Sequence, residues 1–405
     1  MSQLGFAPVI AFLTPEGKAA PSSRVVSHFT PELSSTLAAA AYAGTDADVV
    51  VQAVAGPGAP FAENVPAARV FPHLGIVYGT VEPAGLAALK ASPEVRAVKP
   101  AAQLSLIRPV ASARPSQPSG ATWGLRALQI AELWKQGWTG EGIRVAQLDT
   151  GVDVTHPALD GAVSEFAEFD FTGRQIPAAA ARDSDPDGHG THTAATIAGR
   201  TAAGVQVGVA PAAELYSALV IEGGDVTARI LGGMDWAVGV GAKILSMSLG
   251  ISGMVNSFLD LVTILRDNGV LPVIAIGNEG PGTSRSPGNY PRSLSVGAHD
   301  ERGAVAPFSS SCRFQRRLQP LTPDVVAPGV DVISARAGGG WQALDGTSMA
   351  TPHVAGLAAL LMHARPQATI DQIEKAIFAS AELGTMPEAR ANRGAVNGPR
   401  ALAAL

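Results

Sequence analysis

Asp149 ends the apolar run Ile143-Arg-Val-Ala-Gln-Leu148 and is followed by Thr150-Gly151, which places a carboxylate where a buried strand gives way to a turn. An acid held there can orient a base; it is also a common turn residue or helix cap. Asp187-Gly-His-Gly-Thr-His192 leads into Thr193-Ala-Ala-Thr-Ile-Ala198, so His189 stands between glycines at the start of a predicted helix. Gly188 and Gly190 let that backbone approach a neighbour or a substrate. A metal pair of His189 and His192 is disfavoured, because helical ligand pairs stand at i and i+4 and need further ligands, so His192 reads as packing or capping. Gly346-Thr-Ser-Met-Ala-Thr-Pro-His353 precedes the apolar helix Val354 to Met362 and sets Ser348 at or near a helix N-terminus. Backbone N–H groups there stabilise developing negative charge, although a serine at that spot also serves as a plain cap. Asn278 follows the run Val270 to Ile276 at the same carboxyl edge as Asp149, as an amide donor or as a turn residue.

The elements that must carry these groups divide the 405 residues in two. Val9 to Leu13 and His73 to Val81 read as strands, Glu82 to Ala91 as a short helix and Val95 to Val98 as a closing strand, a small α+β domain in which Thr36 to Gly58 has weak patterning. Arg108 to Gly120 is rich in Pro, Ser and Ala without periodicity and reads as a linker. After it, Ile143 to Leu148, Glu214 to Val220, Lys243 to Ser248 and Val270 to Ile276 read as strands, alternating with helices near Val226 to Val238 and Ser257 to Asp267. That alternation predicts an α/β fold with a mostly parallel sheet buried on both faces and its site at the strands' carboxyl ends.

Composition narrows the classes. Hydrophobic residues make up 46% and charged residues 16%, with 45 glycines and 30 prolines, which excludes collagen-like, coiled-coil and disordered chains. A net charge of −5 without a basic cluster gives no nucleic-acid footprint. The single cysteine, Cys312, forms neither an internal disulfide nor a thiolate metal site and is expected as a buried small hydrophobe. Pro8 to Leu13 is too short, and precedes the first basic residue, Lys18, so it lacks the layout of a secretory signal. No apolar run approaches the ~18 residues of a membrane span, and the expectation is a soluble, cytoplasmic protein.

Asp, His and Ser in that chain order, each at a strand-to-helix junction, are the order of the subtilisin arrangement, and not the Ser-acid-His order of a nucleophile elbow. Through Val145 to Asp153, Asp187 to His192 and Gly346 to Gly356 the chain resembles the subtilisin-like serine proteases, the subtilases. The resemblance runs over Trp123 to Leu405 and includes Ser246 to Gly250, Ala275 to Gly280, Ser286 to Pro291 and Val325 to Gly329. It implies a three-layer fold and a serine endopeptidase working through an acyl-enzyme. Asp149 would orient the imidazole, His189 would act as general base, Ser348 as nucleophile, and Asn278 would donate to the oxyanion beside the Ser348 N–H. Ser248, Leu249 and Gly250, with Ala275 and Gly277, would wall the primary specificity pocket. Arg285 falls at its base, either favouring an acidic substrate residue or turning to solvent. No Asp or Glu stands between Glu94 and Glu132, so a cut in the linker region follows a neutral or basic residue. Gln103, Leu104, Leu106 and Ile107 are the candidate ends, and a hydrophobic preference is expected.

By the same resemblance residues 1–107 are a propeptide-like inhibitor domain, 108–120 a linker and 121–405 the catalytic domain, matched mainly over Phe71 to Val98 in the first; an unrelated small α+β domain is the alternative. The implied partners are protein or peptide substrates and the chain's own N-terminal domain, with no nucleic acid, no membrane and a monomeric state. No cofactor is needed for catalysis. The usual calcium site is missing its ligands, because Ala158 and Arg200-Thr-Ala-Ala203 stand where carboxylate and asparagine are expected. Asp183-Ser-Asp-Pro-Asp187 is acidic enough for another cation but reads better as a solvated loop. The rival function is a permanently inhibited protein of this fold that serves binding or scaffolding.

Overall fold

The computed structural model describes residues 7–15, 18, 23–29, 68–113, 118–223 and 226–405, so the weakly patterned Thr36 to Gly58 lies outside the described residues. The chain forms two compact units, Met1–Ala102 and Gln103–Leu405. The first contains an antiparallel four-stranded sheet in the order Ala68–Phe71, Ile76–Val81, Ala7–Leu13, Val95–Pro100. Its helix, Pro83–Ala91, starts with proline at the first turn, where the missing N–H has no intrahelical partner to lose. Val9, Ala11, Val77 and Leu89 form its core. Ala68–Phe71 is a strand that the sequence reading did not anticipate.

The larger unit is built on seven strands in the order Val325–Pro328, Leu294–His299, Leu271–Ala275, Ile244–Met247, Arg144–Asp149, Glu214–Leu219, Val163–Glu168, with every pairing parallel. Alternation along Arg144–Asp149 shows why the sheet needs cover on both sides. Gln147 reaches the helix His189–Ala198, while Leu148 lies against Gly233 of the helix Thr227–Gly239. Three layers result, as the resemblance implied. The expected strands and helices all form, within three residues of their anticipated ends except for the helix expected over Val354 to Met362, which begins seven residues earlier at Thr347.

The long helix Thr347–Ala364 is buried along nearly its whole length, which explains why its stretch 354–362 is all Val, Ala, Gly, Leu and Met with no polar face. Removing Leu357, Leu360 and Leu361 from water contributes about 1.5–3 kcal/mol each. It packs against His189–Ala198, itself buried at all ten positions. Gly356 permits the close contact, since a methyl there would strike Val209. The chain thereby brings the serine and histidine segments onto one face of the sheet.

Candidate active site

The strand Arg144–Asp149 delivers Asp149 to its carboxyl end, beside the neighbouring strand Ile244–Met247. His189 begins its helix, and the approach of helix to strand depends on glycine. A methyl on Gly190 would collide with the Gly151 carbonyl oxygen, and Gly188 takes a left-handed φ of 67° against Ala337. The result is a hydrogen bond of 2.6 Å from His189 Nδ1 to Asp149 Oδ1. The Thr150 N–H donates to the same oxygen at 2.8 Å, and the Thr193 hydroxyl donates to Oδ2 at 3.1 Å. Gln147 holds Thr193 in turn, at 2.6 Å. With Nδ1 donating, Nε2 carries the lone pair, and Nε2 is buried without a partner among the described residues. Burial works against the imidazolium, but the charge and hydrogen bond of Asp149, aided by Asp185 and Asp183, raise the His189 pKa overall. Such an imidazole is a poised base.

Ser348 occupies the first turn of Thr347–Ala364, as its sequence position indicated. Pro352, four residues on, has no N–H to offer the Ser348 carbonyl, and the Ser248 hydroxyl donates to that carbonyl at 3.2 Å instead. Asn278 is fixed by a residue that the sequence reading missed. Thr347 donates both its backbone N–H and its hydroxyl to Asn278 Oδ1, each at 2.9 Å, which aims the amide nitrogen outward. That Nδ2 donates to the Arg108 carbonyl at 2.9 Å.

Residues 104–113 lie along this edge. Ser105–Leu106 pairs antiparallel with Leu249–Ser252, Leu106 opposite Leu249 and Ser105 opposite Gly250. The ladder ends where the Ile107 N–H donates to the Ser248 carbonyl at 3.0 Å. Three residues later it resumes on the other side: the Val110 N–H donates to Asp345 O at 2.8 Å, and Ala111–Ala113 pairs with Trp341–Asp345. Strand addition to two exposed edges is how an extended peptide is gripped. Between them, the Ser348 hydroxyl donates to the Ile107 carbonyl oxygen at 2.6 Å. Ile107, one of the four anticipated ends, is thus the residue beside Ser348.

The other expected residues fall as follows. Arg285 neither turns to solvent nor offers a free cation: its side chain is 17% exposed and donates to Glu279 Oε1 at 2.7 Å, to Gly250 O at 3.1 Å and to the Ser105 hydroxyl at 3.2 Å. Ala275 and Gly277 are buried at the end of the strand Leu271–Ala275, and the Gly277 N–H donates to the Thr347 hydroxyl at 3.3 Å. His192 packs, with Nε2 on the Val332 carbonyl at 2.9 Å and its pKa lowered by burial to about 3. No group of three or more metal-ligating side chains occurs among the described residues. Cys312 is half-buried, and not the core residue that was expected.

The acidic run 183–187 is solvated only at Pro186 and Asp187, and its first half is tied into the fold. Asp183 accepts from the Thr191 N–H at 2.8 Å, the Thr191 hydroxyl at 2.6 Å and the Thr150 hydroxyl at 2.7 Å, and so ties the aspartate turn to the histidine helix. Its pKa is raised by burial despite those bonds. Asp185 accepts from the His189 N–H at 3.2 Å and from Arg108 at 3.2 Å. At the expected calcium position Ala158 brings only a methyl, and the Arg200 guanidinium donates to the carbonyls of Asp160 and Gly161 at 2.8 and 2.7 Å. A fixed cation already holds those oxygens, and the residues do not fit a calcium ion.

The family model described as Subtilase family matches residues 140–399. Subtilisin Savinase of Lederbergia lenta is 38% identical over 246 residues, which are 60% of this chain and 85% of that protein. The M-protease of Shouchella clausii is 38% identical over 246 residues, 60% of each chain. Subtilisin E of Bacillus subtilis is 34% identical over 265 residues, 64% of this chain and 65% of that protein. The matched span contains every strand of the parallel sheet together with Asp149, His189, Asn278 and Ser348. This chain belongs to the subtilase family and is a subtilisin-like serine endopeptidase.

Proposed function

We propose that Asp149, His189 and Ser348 act as one catalytic unit with Asn278 as oxyanion donor, and that the chain is made as a precursor inhibited by residues 1 to about 107. The observation that carries this reading is the seating of Ile107: its N–H on Ser248, its carbonyl under the Ser348 hydroxyl at 2.6 Å. In the cut, Ser348 Oγ would attack that carbonyl while His189 Nε2 takes the hydroxyl proton and returns it to the leaving amine. Asn278 and the Ser348 N–H would receive the charge that develops on oxygen. Substrates are other peptides gripped along the same two edges. No metal enters, and Arg200 supplies the positive charge at the position where relatives of this fold would place calcium.

One observation favours the rival, a protein kept permanently shut. The Ser348 hydroxyl points to Ile107 and not to His189 Nε2, and Asn278 holds the carbonyl of Arg108, one residue beyond the carbonyl under attack. The uncut chain therefore rests out of catalytic register, and the hydroxyl must turn to His189 before reaction. Intact mass of the wild-type protein beside Ser348→Ala, after overnight incubation under native conditions, decides. Loss of an N-terminal piece of about 100 residues from wild type alone is the expected result. A serine-directed phosphonate that labels neither full-length chain would support the shut form.

A further inference from the structure

Asp185 has no place in the catalytic unit, yet its side chain is only 3% exposed and stands beside the nucleophile's substrate. Its two oxygens serve different partners. Oδ2 accepts the His189 backbone N–H at 3.2 Å, a bond internal to the fold. Oδ1 accepts Arg108 Nη1 at 3.2 Å and has no other donor among the described residues. Arg108 is the residue after Ile107, and its own side chain is 66% exposed. A buried carboxylate oxygen that meets its donor only when the peptide is seated discriminates among peptides, because an unmet charge is costly to bury.

We propose that Asp185 is a specificity-determining residue that selects arginine or lysine immediately after the cleaved bond. This rests on the reading above, with Ile107–Arg108 as the bond cut. Three features single out that bond. The strand ladder ends at the Ile107 N–H, the Ser348 hydroxyl lies on the Ile107 carbonyl, and the following bond, Arg108–Pro109, has an imide nitrogen held in a ring. In the step itself, Ser348 Oγ bonds to the Ile107 carbonyl carbon and its proton passes to His189. The bond to the Arg108 nitrogen then breaks, and that nitrogen takes the proton and leaves as an amine. Water hydrolyses the ester to an Ile107 carboxylate. An acidic residue in place of Arg108 would face Asp185 with Asp183 and Asp187 close by in the chain, so the same loop that attracts a cation rejects an anion.

The test uses the full-length chain as its own substrate. Variants Arg108→Lys, Arg108→Ala and Arg108→Glu are compared with wild type for the rate at which the N-terminal piece is lost, with the cut position read from the masses. We expect Arg and Lys to be cut at similar rates, Ala about tenfold more slowly and Glu more slowly still, the spread shrinking as salt is raised because the cation is exposed. In an Asp185→Asn background, where the amide oxygen still accepts the His189 N–H, the spread should collapse. Equal rates across the four wild-type-background chains, a spread untouched by Asp185→Asn, or a cut at Arg108–Pro109 each overturn the inference. The wild-type series and its salt dependence decide the matter even if the Asp185 variant does not fold. Absence of any cut in all four chains, with the serine unlabelled by phosphonate, removes the protease reading itself and this inference with it.

Discussion

Two ion pairs flank Ser348, and they are opposites in construction. On one side Arg285 belongs to the framework and so does its partner, Glu279, 2.7 Å away. On the other, Asp185 belongs to the framework but its partner, Arg108, belongs to the segment lying in the cleft. Were that segment to leave, Arg285 would keep its carboxylate, whereas Asp185 Oδ1 would lose its guanidinium. A charge in a cleft reads a substrate only if the fold has left its partner to the substrate. Arg285, the residue whose position first suggests charge selection, is therefore the silent one, and Asp185 is the one that selects.

The largest perturbation sharpens this contrast by leaving it unchanged. Asn278 sits between the pairs, and Asn278→Ala should slow the self-cut by about 10²–10³-fold, the magnitude established for such a donor in a subtilisin. The ratio of rates for Arg108 and Arg108→Ala chains should stay the same, because amide and carboxylate act on different parts of the peptide. A ratio that changes with Asn278→Ala, measured by intact mass over time, would mean that the amide does the sorting. Thr347→Val should reproduce part of the loss, since it frees the Asn278 side chain while leaving the amide in place.

A smaller effect breaks the contrast by making the two sides alike. Glu279→Gln removes the internal partner of Arg285 and leaves a guanidinium beside Gly250 and Ser105. A chain carrying Ile107→Glu should then be cut about tenfold faster in the Glu279→Gln background than with Glu279 present, the scale of a charge-assisted hydrogen bond that is partly screened. Adding Arg285→Gln should erase the gain. Equal rates with and without Glu279 would show that the internal pair is not what silences Arg285.

What could be read from the chain alone follows a physical division. Asp149, His189 and Ser348 were legible because each sits in a run whose local grammar, strand-turn or glycine-helix, is written in adjacent residues. The parallel strands 144–149, 244–247 and 271–275 were legible as short, mainly apolar runs alternating with helical segments. Leu294–His299 and Val325–Pro328 were not, being diluted by Ser, Gly and Pro, and Val163–Glu168, an edge strand, carries polar residues that face water. Thr347 escaped notice because its role is to hold a side chain 69 positions away in the sequence. The run 183–187 looked solvated for the same reason. Asp183 and Asp185 are engaged by Thr150, Thr191 and Arg108, none of them within the run.

The finest distinction between the two sides lies in how each reaches the base. The carboxylates that raise the His189 pKa, against the opposing effect of burial, are Asp149 first and then Asp185 and Asp183; Glu279 is not among them. The neutral imidazole is the form that accepts the serine proton, so the self-cut should slow as pH falls through a pKa above the ordinary ~6.5. Asp185→Asn removes one of the charges favouring the imidazolium, the pKa falls, and the acid limb of the rate profile should move to lower pH. Glu279→Gln should leave that limb where it is. Rates normalised to their plateau at high pH report the limb apart from any change in turnover. A limb that moves with Glu279→Gln, or upward with Asp185→Asn, would mean that the charge acting on His189 reaches it from the other side of the cleft.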